Sequence, residues 1–223
     1  LWTATSPAQL GVWSSALAAA RACNAAPFTE LEPTEVASRA GSEAQLAGVF
    51  EPTAATVQPA LLAHGLRRVA IDRGIRVFER SPMVALKRDA RPVVRTANGE
   101  VSAGAVVLAL NAWASRIGEL RRTIAVVSSD MVVSDPVPDV LAQAGLRTGV
   151  AISDSRMLVN YWRATLDGRI ALGKGGGSLA VRGRTSPRFE GPSPFAADAT
   201  KSLRAFYPAL EDVGLPLSWT GPI

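Results

Sequence analysis

The chain has 223 residues, of which 48% are hydrophobic and 19% charged, and its formal net charge is +5. These values are typical of a globular protein with a substantial core and exclude a disordered chain. They also argue against a nucleic-acid-binding protein, because the basic residues are scattered and acidic residues lie between them.

Cysteine, histidine and apolar runs restrict the class of protein further. Cys23 is the only cysteine and His64 the only histidine, which excludes internal disulfides and argues against a zinc site. The longest apolar runs, such as residues 105–110, are far too short for a transmembrane segment, and no secretory leader is recognisable. We therefore expect a cytoplasmic protein without a metal site, and the sequence indicates no particular oligomeric state.

The first part of the chain predicts three helices. Apolar residues at helical spacing indicate one over residues 7–23, and Pro33-Thr34-Glu35 is a typical helix start. Residues 48–58 have an irregular pattern. The third helix follows them and ends at Gly74, which suits a left-handed conformation. Its apolar stripe consists of Val57, Leu61, Leu62, Leu66, Val69 and Ala70.

Residues 75–113 predict strands. Strand patterns occupy residues 75–78, 83–88 and 92–97, and Asn98-Gly99 predicts a type I′ hairpin turn. Residues 103–110 are continuously apolar, which predicts a strand buried on both faces. That strand runs into Asn111-Ala112-Trp113, and a buried strand that ends in a small polar turn is how an open α/β sheet presents a ligand site.

The remainder predicts a second domain built on a mostly antiparallel sheet. Asp167-Gly168 has the pattern of a hairpin turn, and the segment after it is rich in glycine, serine and arginine, which indicates a surface loop. The predicted elements are strands over 123–133, 156–165, 169–173 and 215–219, a loop over 175–194, and a helix over 196–207 with Leu203 and Phe206 inward.

The order and spacing of these segments resemble a known family. Residues 58–86, 93–113 and 154–177 are similar to segments of the D-amino-acid-oxidase-like family of FAD-dependent oxidoreductases, which includes glycine and sarcosine oxidases and γ-glutamylputrescine oxidases. The resemblance implies an α/β and α+β fold, with a partial FAD-binding α/β domain and an antiparallel substrate domain. The expected divisions are a helical segment over 1–52, the partial FAD-binding domain over 53–118, the substrate domain over 119–217, and a return to the FAD domain over 218–223.

The resemblance also implies cofactor-binding residues. Met83 occupies the position at which backbone contacts the adenine of FAD in relatives, although a core position explains it equally well. In relatives, a strand end that matches Ala109, Leu110 and Asn111 passes beside the FAD pyrophosphate and ribityl chain. Trp113 ends the same motif and is expected at the junction of the two domains. Asn111 stands where glycine is common in the family, and asparagine tolerates positive φ better than other residues do.

Two residues of the later hairpin are candidates for substrate binding. Tyr161 and Arg163 lie two apart on a predicted strand, so they share one face of it. Arginine can bind a carboxylate through two parallel hydrogen bonds, which suits an amino-acid substrate. The alternative is a solvated sheet face that carries ordinary cross-strand pairs. Lys174-Gly175-Gly176-Gly177 either approaches the flavin, as glycine-rich turns do in relatives, or forms a flexible loop.

The resemblance implies an enzyme that oxidises the carbon–nitrogen bond of an amine or amino acid by hydride transfer to FAD. No G-x-G-x-x-G phosphate loop occurs in the sequence, and the segment that wraps the flavin in relatives is not recognised. We therefore expect an internal portion of a longer enzyme that is prone to aggregate or to fold only partly in isolation. The alternative is a non-catalytic fragment or interaction module that does not bind FAD on its own.

Overall fold

The computed structural model describes residues 1–223, and the chain forms two compact units. The larger unit contains residues 1–56 and 111–223, and the smaller unit contains residues 57–110. The smaller unit is therefore inserted into the sequence of the larger one. Each unit is described by itself.

Eleven strands and five α-helices are numbered in chain order. The strands are β1 Trp2–Ala4, β2 Thr29–Leu31, β3 Ala47–Phe50, β4 Ala85–Lys87, β5 Val93–Thr96, β6 Gly99–Ser102, β7 Val127–Val133, β8 Ile152–Ser153, β9 Asn160–Ala164, β10 Ile170–Leu179 and β11 Leu217–Pro222. The α-helices are α1 Ser14–Ala22, α2 Pro33–Ala40, α3 Pro59–Asp72, α4 Pro138–Ala144 and α5 Ala196–Phe206. No helix has the length and apolar character needed to cross a bilayer.

The larger unit is built on one eight-stranded sheet in the order β11-β7-β10-β9-β8-β1-β3-β2. All neighbours are antiparallel except β1 and β8, which pair in parallel through Trp2 and Ser153. The β9–β10 hairpin turns at Gly168, whose φ is +74°. The amide of Arg169 donates to Thr165 Oγ1 and the amide of Thr165 donates to the Arg169 carbonyl. The hairpin predicted at Asp167-Gly168 is therefore confirmed.

The main core lies between this sheet and α5. Leu203 and Phe206 of α5 are buried, as predicted, and the Phe206 ring stacks on Trp162 with 4.6 Å between ring centroids. Trp162 Nε1 donates to the Tyr207 hydroxyl at 2.8 Å, and that hydroxyl donates to the Ala40 carbonyl at 2.6 Å. Burial raises the pKa of Tyr207 well above its ordinary value. One hydroxyl thus joins β9, α5 and α2.

The smaller unit contains α3 and the three-stranded sheet β4-β5-β6. Proline at the first turn and a Gln58 side chain that accepts from the Leu61 amide start α3, and Gly74 follows its end with φ +77°, as predicted. No residue between 57 and 110 is buried. The apolar stripe of α3 is exposed, with Leu61 at 71% and Leu66 at 61%. The local sequence is sufficient to form the helix and the three strands, but their packing gives this unit no buried core of its own.

Two predicted strands of the smaller unit are wrong. Residues 75–78 and 103–110 pair with no strand, and Val107 is 89% exposed rather than buried on both faces. A buried strand needs hydrogen-bonded neighbours, and this unit supplies none to these runs. The hairpin predicted at Asn98-Gly99 is confirmed as the pairing of β5 with β6, but its predicted type I′ turn is wrong. Thr96 pairs with Gly99, so Ala97 and Asn98 form the turn, and neither has positive φ.

Two expectations for the larger unit also change. Residues 175–179 continue β10 instead of starting a loop, and Gly176 and Gly177 lie in close contact with the side chains of Leu158 and Phe195. The segment 1–52, expected to be helical, contributes β1, β2 and β3 as well as two α-helices. These strands have only three or four residues, too few for a clear period-2 pattern. The domain boundaries of the sequence analysis stay a prediction, whereas the mixed fold class with a mostly antiparallel sheet is confirmed.

Candidate functional site

One face of the large sheet carries a row of four residues in register. Tyr161 of β9 pairs with Gly173 of β10, Gly173 pairs with Met131 of β7, and Met131 pairs with Trp219 of β11. Side chains of directly paired residues lie on the same face of a sheet. We call this surface the Tyr161 face. Its exposed members include Tyr161 at 37% and Trp219 at 45%, so it is accessible in the larger unit.

Glycine at position 173 allows the Tyr161 ring to lie across the sheet. A Cβ at Gly173 would stand 2.1 Å from the ring of Tyr161 and 2.4 Å from the sulfur of Met131. No real Cβ approaches other atoms so closely, so any side chain here would displace the ring or the thioether. The missing side chain therefore makes the centre of the Tyr161 face flat.

The Tyr161 hydroxyl is held by a second hydroxyl. It forms a short hydrogen bond with Ser129 Oγ, and Ser129 lies two residues before Met131 on β7. Ser129 is nearly buried, whereas Tyr161 is partly exposed. This hydrogen bond and the contact with Gly173 together limit the ring to one orientation, with part of the ring open to a ligand.

Arg163 lies on the same face as Tyr161, as the strand pattern predicts. The two Cα atoms are separated by about 7 Å, which is the repeat of two residues along a strand. Arg163 is half-buried, pairs with Ala171 on β10 and makes no ion pair with this chain. Its guanidinium is therefore available for a carboxylate, which it can bind through two hydrogen bonds.

The face combines polar groups with apolar surface. Trp219 and Leu217 of β11 are exposed on it, and Leu217 lies in register with Val133 on β7. An indole and an aliphatic side chain can pack against the hydrocarbon part of a ligand whose carboxylate binds Arg163. No acid–base pair is needed for such binding. No group of three or more His, Cys, Asp or Glu side chains is arranged to hold a metal.

The predicted cofactor residues fall in both units. Met83 lies just before β4 in the smaller unit and is partly buried, and Ala109 and Leu110 end that unit outside any strand. Asn111 and Trp113 open the larger unit's second segment in a 3-10 turn over Asn111–Arg116. Trp113 is 40% exposed. The contact of these residues with a cofactor stays a prediction.

Asn111 adopts the left-handed conformation, with φ +45°. Asn111 stands where glycine is common in the family, and its positive φ confirms that the backbone here has a conformation that favours glycine or asparagine. The turn that follows is anchored by Ser115, whose hydroxyl bonds the carbonyls of Ala112 at 2.7 Å and Gly183 at 2.8 Å. The backbone at Asn111 is thus fixed by buried contacts one turn later.

The sequence analysis missed several residues of the Tyr161 face. Ser129, Met131, Gly173 and Trp219 come from three strands, and only the register of those strands brings them together. The alternation of residues in 123–133 predicts which of them share a face of β7. The predicted hairpin at Asp167-Gly168 places β10 beside β9, but nothing in the sequence identifies β7 as the other neighbour of β10.

The chain matches a family of known proteins over its whole length. The sequence model of the family described as FAD dependent oxidoreductase (DAO) matches residues 1–223. The probable oxidoreductase OrdL of Haemophilus influenzae is 25% identical over 198 residues, and the gamma-glutamylputrescine oxidoreductase of Escherichia coli K12 is 24% identical over 193. Each match covers 86% of this chain and 43% of the relative, so the chain spans less than half the length of these relatives.

Solved structures are similar in fold. The L-proline dehydrogenase of P. horikoshii superposes with a TM-score of 0.76 and 16% identity, covering 99% of this chain and 59% of that one. The glycine oxidase of Geobacillus kaustophilus gives a TM-score of 0.71 and 20% identity, covering 99% and 57%. At these identities the likeness is one of fold.

Proposed function

The chain belongs to the FAD-dependent oxidoreductase family, and on that premise we propose that its protein oxidises the carbon–nitrogen bond of an amine or amino acid, with FAD as cofactor. The names of two similar proteins support this substrate class, since one acts on γ-glutamylputrescine and one solved structure is a glycine oxidase. FAD, when bound, supplies a hydride acceptor for the carbon beside the substrate nitrogen, and water hydrolyses the resulting imine.

The observation that carries the proposal is the Tyr161 face. Arg163 binds the carboxylate of the substrate, and the Tyr161 hydroxyl, held by Ser129, fixes the orientation of that carboxylate. Trp219 packs against the hydrocarbon part of the substrate and excludes water from it. The chain's own residues therefore bind and orient the substrate, and the oxidation is left to the cofactor.

The residues proposed for FAD are compatible with a close approach of the cofactor to the backbone. Asn111 holds the left-handed conformation, and the side chains of Ala109 and Ala112 beside it are small. In this proposal Ala109, Leu110 and Asn111 would hold the cofactor through their backbone, together with Trp113, and Met83 would contact the adenine through its backbone.

A second candidate is a non-catalytic fragment that does not bind FAD by itself. The absence of any buried residue between 57 and 110 favours it, because three of the proposed cofactor residues lie in that unit. A cofactor site needs a preorganised backbone, and a unit without a core preorganises its backbone poorly. The two candidates differ in whether residues 1–223 alone take up FAD.

The test uses the protein expressed from its complete reading frame and, separately, residues 1–223. We expect flavin absorbance in the former and bleaching of the flavin when an amine or amino acid substrate is added without oxygen. A colourless protein that takes up no added FAD would refute the proposed function. If only residues 1–223 stay colourless, the fragment candidate holds for that piece alone.

The role of the Tyr161 face is tested in the same coloured protein. Arg163→Leu should raise KM for an amino-acid substrate about tenfold or more, since hydrogen bonds to charged groups contribute about 1.5–3 kcal/mol. Arg147→Leu, an exposed arginine elsewhere in the larger unit, is the matched control and should leave KM unchanged. Equal KM values in the two variants would remove Arg163 from the site.

A further inference from the structure

A second polar row crosses the large sheet on the face opposite Tyr161. Asn160 of β9 pairs with Lys174 of β10, Lys174 pairs with Asp130 of β7, and Asp130 pairs with Thr220 of β11. Each lies next in sequence to a residue of the Tyr161 face, so these side chains point the other way. Two buried oxygens of this row, Asn160 Oδ1 and Thr220 Oγ1, have no hydrogen-bond partner. Such atoms are uncommon in a folded protein.

A cavity of about 260 Å³ opens beside this row. Asp130, Lys174 and Asp198 provide its charged lining, Leu158 and Phe195 its apolar lining, and residues 175–177 its glycine backbone. A Cβ at Gly176 would stand 2.2 Å from Leu158, and one at Gly177 would stand 2.3 Å from Phe195. Glycine backbone therefore fits tightly against the apolar lining, where no side chain has room.

The charges of the cavity are not neutralised within the protein. Asp130 is 1% exposed, and its carboxylate accepts hydrogen bonds from Ser128 Oγ and Ser193 Oγ, both at 2.7 Å. Lys174 lines the same space but makes no ion pair with Asp130 or Asp198. Two carboxylates and one ammonium thus face one small cavity without contact between opposite charges.

We propose that this cavity binds a small zwitterion, a free amino acid, at a site separate from the Tyr161 face. The ligand's ammonium lies between Asp130 and Asp198, its carboxylate binds Lys174, and its methylene groups pack on Phe195 and Leu158. The cavity has the volume of about nine waters, which suits a compact amino acid rather than a drug-sized molecule. The site does not depend on the proposed oxidation, because none of its residues belongs to that face.

The mixed lining discriminates between ligand charges. A simple anion would meet two carboxylates, and a simple cation would meet the ammonium of Lys174. Only a ligand with both charges pairs every charged group of the lining, and leaving a partly buried charge unpaired is costly. A zwitterion is therefore expected to bind more tightly than a singly charged molecule of the same length.

Calorimetric titration of the protein expressed from its complete reading frame tests this prediction. The probes are glycine, β-alanine, γ-aminobutyrate and δ-aminovalerate, with butylamine and butyrate as singly charged controls. At least one zwitterion should bind with a Kd of about 1 mM or tighter, and both controls should bind at least about tenfold more weakly. If no zwitterion gives saturable binding, or if butylamine or butyrate binds as tightly, the proposal is wrong.

Variants place the binding in the cavity. Lys174→Met and Asp198→Asn should each weaken the best zwitterion about tenfold, whereas Lys201→Met and Asp212→Asn, at exposed positions outside the lining, should not. Asp130 is left unchanged because its carboxylate accepts hydrogen bonds from Ser128 and Ser193. Asp198 is exposed, so Asp198→Asn tests the site without loss of folding. Binding lost only in Arg163→Leu would assign the probe to the Tyr161 face and overturn the proposal.

Discussion

In the unit of residues 1–56 and 111–223, Leu203 lies on a helix and is fully buried; in the unit of residues 57–110, Leu66 also lies on a helix and is 61% exposed. Both helices have an amphipathic pattern, so the pattern alone does not distinguish the two situations. The difference is that a sheet covers the apolar stripe of α5, whereas nothing in its own unit covers the apolar stripe of α3. The comparison separates what makes a helix from what makes a helix stable.

The exposed stripe of α3 is consistent with the expected tendency of this chain to aggregate. Contiguous apolar surface of this kind promotes association when nothing covers it. The expectation remains a prediction, and a cooperative thermal transition of a monomer that includes residues 57–110 would contradict it.

The largest expected difference between the units comes from truncating a leucine in each. Leu203→Ala should reduce the free energy of unfolding by about 2–5 kcal/mol, because it leaves a cavity in the main core. Leu66→Ala should change it by less than about 0.5 kcal/mol, since the side chain is exposed. Urea denaturation followed by circular dichroism measures both. Similar losses would show that the stripe of α3 is covered in solution.

Removal of the Tyr207 hydroxyl, which joins β9, α5 and α2, should give the next largest loss of stability. Tyr207→Phe removes two buried hydrogen bonds and should cost about 1–3 kcal/mol at neutral pH. The raised pKa of Tyr207 also has a consequence in alkali. Its neutral form is favoured in the folded state, so its contribution is full below the ordinary tyrosine pKa of about 10 and is lost as the pH rises through the raised value.

Denaturation of wild type and Tyr207→Phe across the alkaline range separates the two effects. The difference in stability between the proteins should shrink above about pH 10, where the wild type loses the contribution that the variant already lacks. A difference that stays constant into alkali would mean that Tyr207 is not the titrating group.

Replacing one glycine of each unit by alanine should change the free energy of unfolding by a smaller amount. Gly173→Ala should destabilise the larger unit by about 1–3 kcal/mol, because the new methyl group overlaps Tyr161 and Met131. Gly65→Ala, inside α3 with no atom within 4 Å of the new methyl group, should stabilise by about 0.5–1 kcal/mol. Opposite signs are the expected result of parallel denaturation experiments. Stabilisation by both substitutions would refute the close contact at Gly173.

The smallest effect concerns the β9–β10 hairpin turn. A hydrogen bond from Thr165, and then one from Arg169, lowers the pKa of Asp167 beside the β9–β10 turn. Its contribution to stability is present above the ordinary carboxyl pKa and is lost as the pH falls through the lowered value. Asp167→Asn should therefore be slightly less stable than wild type at neutral pH and equal to it in acid. A gap that persists in acid would assign the effect to something other than this charge.

Local signals predicted those parts of the fold that local physics determines. The turn at Gly168, the helix over Pro33–Ala40 and the left-handed Gly74 each depend on a few consecutive residues, and each was predicted. Residues 103–110 have a strand pattern that forms no strand, because pairing depends on neighbours that the pattern does not contain. β1 was missed because it has only three residues and because its partners β3 and β8 lie about 45 and about 150 residues away.

The candidate site was predicted only where its residues share one strand. Tyr161 and Arg163 were found because they are two apart on β9. The predicted strand over 169–173 includes Gly173 despite the low strand propensity of glycine, and the missing side chain is what lets the Tyr161 ring lie across the sheet. Propensity describes an average environment, whereas this glycine is required by one particular contact.

The parallel pairing of Trp2 with Ser153 has a consequence for synthesis of the chain on the ribosome. At about 5–20 residues per second, β8 emerges roughly 8–30 s after β1. Residues 57–110 are made during that interval, before the large sheet is complete. The nascent chain therefore exposes the edge of β1 that β8 later covers, together with the stripe of α3, for seconds, which is the period when a chaperone would bind it most usefully.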